Sequence, residues 1–223
     1  MRVKLKTRKE IVKGIILLEF DTLGQIVNFE PGQFFTLTLI SPPFTDIRGN
    51  SRIFGFVNSP TKKDIQIITK SGPSAFKKWL MQMPIETEVQ VDKINGIIDL
   101  PKNPNEQLVF LASGIGIAPI MSILRYLNEK QLQYHVILIY VNDSREQTPF
   151  FEELTNYSKV NALFKLILTE SINNELIQNN LPILRTSLYF VKGEQQFVVG
   201  SIKILQALGI ETNKISMEIF TGY

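Results

Sequence analysis

The chain has 223 residues, of which 44% are hydrophobic and 20% charged, with one histidine, no cysteine and a net charge of +3. This composition excludes intrinsic disorder, disulfides, thiolate zinc sites and all-cysteine iron–sulfur clusters, and so mild a charge excludes a dedicated nucleic-acid surface. No apolar run approaches the roughly 18 residues that cross a bilayer, and no secretory signal is visible, so we expect a cytoplasmic protein whose redox chemistry would come from a bound organic cofactor.

Short β-segments separated by turns fill the first hundred residues, which predicts an antiparallel barrel or sandwich. They cover residues 2–11, 14–20, 34–40, 53–57, 65–69 and 88–91. The first segment begins a modest basic cluster, formed by Lys4, Lys6, Arg8, Lys9 and Lys13. This cluster could meet an acidic protein, although a solvated strand face is the simpler explanation.

An arginine and an aromatic ring share one face of the fourth segment, since Arg52 and Phe54 are two positions apart on a strand. Such a face can bind phosphate through the guanidinium and place a ring against a flat heterocycle, although an edge arginine beside a core phenylalanine fits the pattern too. The segment that contains Lys70, Gly72 and Pro73 leads into a helix predicted over residues 74–81, which Ser74 would cap. Free amide groups at that cap would suit another phosphate.

A polar stretch with two prolines, residues 101–106, separates two kinds of periodicity and is our predicted domain boundary. After it, a strand at 107–112, a glycine-rich turn, a helix at 119–130 and a strand at 135–141 form a βαβ unit. Further strands are predicted at 164–169, 197–199 and 215–220, with helices near 149–157 and 202–208. A small doubly wound sheet is therefore expected.

The glycine-rich turn, Gly114-Ile115-Gly116, stands where a buried strand becomes a helix, and such a corner presents backbone N–H groups to a phosphate. Pro119 suits the first helical turn because its missing N–H has no intrahelical partner to lose. The fingerprint Gly-x-Gly-x-x-Gly is incomplete, since proline replaces its third glycine. An ordinary strand-to-helix turn therefore remains an alternative to a nucleotide site.

Polar residues follow the second strand of this unit, where an adenosine ribose would lie. Asn142 and Asp143 stand at this edge, and Asp143 could accept bonds from ribose hydroxyls. A carboxylate there repels a 2′-phosphate, whereas Arg145 could attract one. The choice between NADH and NADPH stays open, with a slight preference for NADH. Solvated loop charges would explain the same residues.

The order of these motifs resembles that of the ferredoxin–NADP reductase-like flavoproteins over nearly the whole chain. Residues 31–34 are similar to the family's Pro-Gly-Gln strand entry, residues 52–55 to its Arg-x-Tyr-Ser flavin motif and residues 72–74 to its Gly-x-x-Ser region. Residues 95–100 resemble the segment that closes the barrel, and residues 114–119 resemble the Gly-Thr-Gly-x-x-Pro nucleotide turn. Residues 199–201 stand for Cys-Gly-Pro, and residues 218–220 match the terminal Glu-x-Phe.

The resemblance implies a six-stranded antiparallel β-barrel that binds FAD, at residues 1–101, and a doubly wound parallel α/β domain that binds NAD(P)H, at residues 105–223. It also implies hydride transfer from nicotinamide to flavin in the cleft between them, and electrons passed to an external ferredoxin, flavodoxin or partner subunit. The residues that would touch the cofactors are Arg52, Phe54, Gly55, Phe56, Val57, Lys70, Gly72, Pro73, Ser74, Gly114, Ile115, Gly116, Pro119, Asn142, Asp143, Arg145, Gly200, Phe220 and Tyr223. Gly55 and Glu218 would lie at the reacting centre, where Glu218 would shield charge or relay a proton. FAD is preferred to FMN because two phosphate-binding places suit a pyrophosphate.

Three positions depart from the family's pattern, since Gly55, Ile115 and Val199 replace a serine, a threonine and a cysteine. Lost polar groups near the reacting atoms lower the rate more than they lower binding. We therefore expect flavin binding with slowed hydride transfer. The alternatives are a flavin-binding module that serves as a sensor or subunit, and a protein that binds another nucleotide without flavin.

Overall fold

The computed structural model describes residues 1–96, 100–101, 103–104, 106–181 and 186–220. These residues fold into two compact units. The first unit contains the described residues up to 96 together with residues 118–128, and the second contains those from 100 to 117 and from 129 to 220. The predicted assignment of residues 1–101 to FAD and of 105–223 to NAD(P)H stays a prediction.

The first unit is built on six strands: β1 (Arg2–Val12), β2 (Ile15–Asp21), β3 (Phe34–Leu39), β4 (Ser51–Gly55), β5 (Ile65–Lys70) and β6 (Glu88–Asn95). They form one antiparallel sheet in the order β4-β3-β6-β1-β2-β5. Its two edges meet just past β4, where the Val57 amide donates to the Gln66 carbonyl oxygen at 2.9 Å. The predicted antiparallel β-domain is confirmed.

Alternation of side chains along these strands creates the core of the first unit. In β3, Phe35, Leu37 and Leu39 are buried while the residues between them are half-buried. Helix α1 (Ala75–Gln82) covers this core with Phe76 and Leu80, which lie on one face as the helical spacing predicts. Apolar burial of this kind is the main favourable contribution to folding.

The second unit contains a parallel sheet of five strands: β7 (Leu108–Ser113), β8 (Val136–Val141), β9 (Phe164–Thr169), β10 (Leu188–Gly193) and β11 (Ile215–Ile219). Its order is β11-β10-β7-β8-β9. Its helices are α3 (Phe151–Val160), α4 (Asn174–Asn180) and α5 (Gln195–Ala207), whereas α2 (Ile117–Glu129) follows β7 along the chain but belongs, except for its two end residues, to the first unit. The predicted doubly wound class is confirmed.

The strand order of this sheet reverses between β7 and β10, because the chain runs outward from β7 to β9 and then returns to add β10 and β11. Open parallel sheets bind ligands beyond the carboxyl ends of their strands at such a switch point. The glycine-rich turn after β7 and the end of β10 both lie there. The topology therefore designates this edge as the candidate ligand site of the second unit.

The strand predicted at residues 197–199 is wrong, because these residues lie in α5. Val198, Ser201 and Leu205 are buried in that helix, a spacing of three and four residues that outweighs the local preference of two adjacent valines for strand. The strand that the prediction missed is β10, and α4 was missed as well. No helix among the described residues has both the length and the apolar character to span a bilayer.

Candidate functional site

Arg52 presents unsatisfied donors in the first unit. Its side chain is only 12% exposed, and an Asp46 carboxylate oxygen lies 4.0 Å from Nη2. Nη1 donates to the carbonyl oxygens of Arg48, Gly49 and Ser51 at 2.9, 3.1 and 2.7 Å. Nε and Nη2 are buried and have no hydrogen-bond partner among the described residues. Because buried donors without partners cost free energy, this guanidinium is suited to an additional anionic ligand.

The ring of Phe76 lies beside both residues of the predicted β4 face. The Arg52 guanidinium carbon is 5.0 Å from the centroid of that ring, and the Phe54 ring stacks on it at 6.1 Å. Phe54 is 8% exposed and belongs to the core of the unit. Phe54 thus packs in the core of the first unit, and a contact of its ring with a flat heterocycle stays a prediction.

Gly55 leaves no room for a side chain at the end of β4. A Cβ at this position would lie 2.9 Å from Cδ of Pro119 and 3.3 Å from its nitrogen. The serine of the family motif would therefore collide with the first turn of α2. The glycine at position 55 thus has a packing reason, independent of any cofactor.

Phe56 and Val57 are fully buried, so a ligand could reach them only through their backbone. The Phe56 ring stacks on Phe29 with 3.7 Å between centroids and an interplanar angle of 11°. The Val57 carbonyl oxygen accepts a bond from Arg125 Nη1 at 3.1 Å. Phe56 therefore has a packing role in the core, while Val57 joins the two edges of the sheet through its bond to Gln66.

The N-terminus of α1 is capped more fully than the sequence suggests. Ser74 is its N-cap, and Ser74 Oγ accepts a bond from the Lys77 amide at 3.3 Å, as predicted. The Ala75 amide, expected to be free for a phosphate, instead donates to Asp46 Oδ2 at 2.7 Å. A Cβ on Gly72 would lie 2.9 Å from Cδ of the buried Lys77, so the glycine makes room for that chain. The two remaining predicted contacts in this region are exposed, Lys70 and Pro73.

The glycine-rich turn of the second unit is a short 3-10 helix, Gly114–Gly116, between β7 and α2. Gly114 has φ +50°, which favours glycine, and Ile115 is half-buried. A Cβ on Gly116 would collide with the backbone of Lys192, whose carbonyl carbon would lie 2.6 Å away. Gly116 is therefore required where the turn packs against the end of β10. Pro119 is the third residue of α2, within the first turn, as predicted.

Polar groups cluster after β8, at the same edge of the sheet. The Asn142 amide donates to the Thr169 carbonyl oxygen at 3.1 Å, and the Asn142 side chain forms a hydrogen bond with the Tyr140 side chain. Asp143 is exposed. The guanidinium of Arg145 lies 4.1 Å from the centroid of the Phe151 ring, a cation–π distance that fixes its position.

Lys192 and Gly193 end β10 at the switch point, and the sequence analysis missed both. Lys192 Nζ forms an ion pair with Glu218 Oε2 on β11, and the two side chains are 5% and 16% exposed. A Cβ on Gly193 would collide with Ser113 and lie 2.8 Å from the Phe197 ring. The signal was present in the sequence, because an apolar run at residues 188–191 followed by Lys-Gly is typical of a buried strand and its turn.

Gly200 lies inside α5, away from any strand end, with open space around its missing side chain. Residues 199–201, predicted to stand for Cys-Gly-Pro, thus follow no strand, and the strand of this region ends at Lys192-Gly193 instead. A contact of Gly200 with a cofactor stays a prediction. The Phe220 amide donates to the Gly193 carbonyl oxygen at 2.8 Å, which brings this residue to the switch point. Tyr223 lies outside the described residues.

Comparison with solved structures places this fold in a known class, although no protein-family model matches the chain. The FAD/NAD-binding domain of a nitric oxide dioxygenase from Vibrio cholerae aligns with a TM-score of 0.82 at 14% identity, covering 98% of both chains. A ferredoxin NADP+ reductase from Neisseria gonorrhoeae, solved with FAD and NADP bound, aligns with a TM-score of 0.80 at 20% identity over 100% and 98% of the two chains. The predicted resemblance is confirmed, and the chain has the ferredoxin–NADP reductase-like fold.

Curated proteins with similar sequences are drawn from the same class. The chain is 23% identical over 238 residues to a flavohemoprotein of Oceanobacillus iheyensis, covering 97% of this chain and 57% of that protein. It is 24% identical to the flavodoxin/ferredoxin–NADP reductase of Buchnera aphidicola, over 75% and 79%. It is 25% identical to a probable dihydroorotate dehydrogenase B (NAD(+)) electron transfer subunit of Pyrococcus abyssi, over 97% and 78%. The chain spans just over half the length of the flavohemoproteins that it matches.

Proposed function

We propose that this chain is an NAD(P)H-dependent flavoprotein reductase. Its first unit would bind FAD, its second would bind the nicotinamide nucleotide, and electrons would leave to an external carrier. The observation that carries the proposal is Arg52, a largely enclosed cation with two nitrogen atoms that make no hydrogen bond to the described residues, in a fold that one neighbour uses to bind FAD and NADP. FAD, when bound, supplies a hydride acceptor that can release electrons singly.

The residues of the first unit fit the phosphates of a flavin. Arg52 Nε and Nη2 would donate to phosphate oxygens. Asp46 holds the loop that carries the Arg52 acceptors, since Asp46 Oδ1, the oxygen nearest Arg52 Nη2, also accepts a bond from the Arg48 amide at 2.9 Å. The negative charge of Asp46 also lowers the net positive charge around Arg52, so Arg52 would bind one phosphate group.

The switch-point edge fits a nicotinamide nucleotide. The Gly114–Gly116 turn would receive the diphosphate at the start of α2, and the Asn142 side chain would bond the adenosine ribose. Asp143 would accept hydrogen bonds from the ribose hydroxyls and would repel a 2′-phosphate. Arg145, held over the Phe151 ring, would attract such a phosphate. On balance the arrangement favours NADH.

A ferredoxin, a flavodoxin or a partner subunit would receive the electrons, because the cysteine-free chain cannot ligate an all-cysteine iron–sulfur cluster of its own. An acidic carrier remains our proposal, yet the N-terminal basic cluster is partly neutralised within the first unit. Lys4 pairs with Glu86 at 3.6 Å, and Lys6 pairs with Glu19 and Asp64 at 2.9 and 2.5 Å. Steering by this face should therefore be modest and sensitive to salt.

The visible spectrum of freshly purified protein tests the proposal first. A flavin absorption band, FAD released by heat and identified by chromatography, and its bleaching by NADH or NADPH under anaerobic conditions are the expected results. Turnover with an artificial acceptor then establishes catalysis. A colourless protein that takes up no flavin in a titration would refute the assignment.

A second candidate is a flavin-binding module with weakened catalysis that serves as a subunit of a larger assembly. The contact of Gly55 with Pro119 favours it, because this contact excludes the hydroxyl group that the family motif places there. One curated relative is itself an electron transfer subunit. In this case we expect flavin binding with slow reduction by nicotinamide nucleotides in stopped-flow experiments.

The double variant Gly55→Ser with Pro119→Ala separates the two candidates. It introduces the hydroxyl and removes the ring carbon that would lie 2.9 Å from the new Cβ. Faster flavin reduction than in the wild type would support the weakened module, and unchanged fast reduction would support the competent reductase. Gly55→Ser alone is the matched control, and we expect it to lose stability through the collision.

A further inference from the structure

The carboxylate group of Asp46 lies at the corner of the first unit where a flavin phosphate is proposed to bind. Its Oδ1 atom is 4.0 Å from Arg52 Nη2 and accepts a hydrogen bond from the Arg48 amide at 2.9 Å. Its Oδ2 atom accepts a hydrogen bond from the Ala75 amide, at the start of α1, at 2.7 Å. One protein carboxylate is therefore paired with both the guanidinium and the first amide of the helix.

This position of Asp46 changes what the corner offers to a flavin. The start of α1 was expected to receive one of the two phosphates of FAD, and its first amide instead bonds Asp46. Nε and Nη2 of Arg52 make no hydrogen bond to the described residues. The distinction between FAD and FMN therefore depends on the charge beside Arg52 as well as on the number of phosphate-binding places.

Asp46 supplies a lasting negative charge beside the donors of Arg52. The two side chains are 31% and 12% exposed, so water screens their interaction only in part. Hydrogen bonds from the amides of Ala75 and Arg48 lower the pKa of the Asp46 carboxyl group, and the positive charges of Arg52 and Arg48 add to this effect. The group therefore stays ionised at neutral and mildly acidic pH.

The other charged side chains on the segments that contact Asp46 are cationic. Arg48 lies on the same loop and is exposed, so its charge is largely screened by water. Helix α1 carries Lys78, which is exposed, and Lys77, which is buried. Among the described residues, Asp46 is the carboxylate that lies within ion-pair distance of Arg52. It is thus the group that can oppose additional negative charge on a ligand of Arg52.

We propose that Asp46 is a specificity-determining residue that selects FAD, whose phosphates each carry one negative charge, over FMN, whose phosphate monoester carries about two. The inference rests on the proposed function and deepens it by naming the residue that sets the choice of flavin. A carboxylate beside Arg52 opposes the second charge of a monoester, whereas the single charge of each phosphate in FAD meets less repulsion. Without this carboxylate, the guanidinium would favour the doubly charged group.

The test is the ratio of the dissociation constants for FMN and for FAD, measured by fluorescence titration of the full chain after its flavin has been removed. Both ligands share the isoalloxazine ring, so effects on the binding of that ring cancel when variants are compared by this ratio. At pH 7.5 we expect a wild-type ratio well above one. Asp46→Asn keeps the size of the side chain and removes its charge, so the ratio should fall about 3- to 10-fold.

Asp21→Asn is the matched control. Asp21 Oδ1 accepts a hydrogen bond from the Leu23 amide at 2.7 Å, across the same two-residue spacing as the bond from Arg48 to Asp46, in a different turn of the first unit. This variant removes the same charge and should leave the ratio unaltered. An equal fall in both variants would show a general effect of net charge and would overturn the inference.

A second measurement needs only the wild type, so it keeps the inference testable if Asp46→Asn does not fold. The second pKa of a phosphate monoester is about 6, so FMN loses most of its second charge between pH 7.5 and pH 5.5, while the phosphates of FAD keep theirs. Asp46 stays ionised over this range because its pKa is lowered. The wild-type ratio should therefore fall at pH 5.5, and in Asp46→Asn it should rise.

Two further outcomes would overturn the inference: an Asp46→Asn ratio equal to that of the wild type at pH 7.5, or a wild-type ratio that does not change with pH. Failure of the wild type to bind either flavin would instead refute the proposed function. Circular dichroism of each variant monitors folding.

Discussion

The Tyr140 hydroxyl group donates a 2.8 Å hydrogen bond to the carbonyl oxygen of Gly114. Tyr140 is the penultimate residue of β8, and Gly114 begins the turn after β7. A side chain of one strand therefore holds the turn that follows the neighbouring strand. Burial raises the pKa of Tyr140 well above its ordinary value, which keeps the hydroxyl protonated as a donor throughout the physiological range. The geometry of the turn thus depends on a side chain 26 residues away.

Tyr140→Phe tests this bond. The Gly114 carbonyl oxygen would lose its donor while the packing of the ring is retained, so we expect a loss of about 1 kcal/mol in unfolding free energy and weaker nucleotide binding. Urea unfolding and calorimetric titration with NAD+ are the measurements. Tyr126→Phe is the matched control, because its hydroxyl makes no hydrogen bond with the described residues. Equal effects of both variants would contradict the assigned role.

Two glycine-to-alanine variants separate a required glycine from a tolerant one. Gly116→Ala places a methyl group against the Lys192 backbone, so we expect a destabilisation of about 1–3 kcal/mol and loss of nucleotide affinity. Gly200→Ala places a methyl group in open space inside α5, so we expect a gain of about 0.5–1 kcal/mol with unchanged nucleotide binding. Thermal unfolding provides the comparison. A loss of nucleotide affinity in Gly200→Ala would instead reinstate Gly200 as a binding residue.

Arg52→Met removes the two unpartnered donors but keeps much of the aliphatic chain. If they bind a flavin phosphate, the dissociation constant of FAD should rise roughly 10- to 100-fold, the value of charge-assisted hydrogen bonds. Flavin fluorescence during dilution of the loaded protein measures the change. Arg2→Met, which removes an exposed ion pair with Glu88 in the same sheet, should leave flavin affinity unaltered.

Asp46 should make the stability of the first unit pH-dependent. Hydrogen bonds from the amides of Ala75 and Arg48 lower the pKa of its carboxyl group. A lowered folded-state pKa contributes stability above the pKa of the unfolded chain, near 4, and that contribution is lost as the pH falls toward the folded-state value. We expect wild type to exceed Asp46→Asn in unfolding free energy at pH 6, with the difference shrinking toward pH 3. A difference that stays constant over this range would show that charge at Asp46 is irrelevant.

Sequence predictions that depend on local periodicity were accurate, and those that depend on contacts between distant segments were not. The β-domain, the βαβ unit and the helix near Pro119 depend on local periodicity, and each was predicted. The strand at residues 197–199 failed because a short valine run has no periodicity of its own. The missed β10 carried Lys192, so one error in local structure removed a central residue from the predicted site.

The amino-acid sequence by itself determined an antiparallel β-domain followed by an α/β domain. It also determined the glycine-rich turn after the first strand of the α/β domain and the order of the motifs. Tertiary structure alone decided that Lys192 faces Glu218, because that pairing depends on the parallel register of β10 and β11 across 26 residues. It likewise decided that Gly55 accommodates Pro119 and that Gly116 accommodates the Lys192 backbone. Periodicity is a local property of the chain, whereas close approach between distant segments exists only after the sheets have formed.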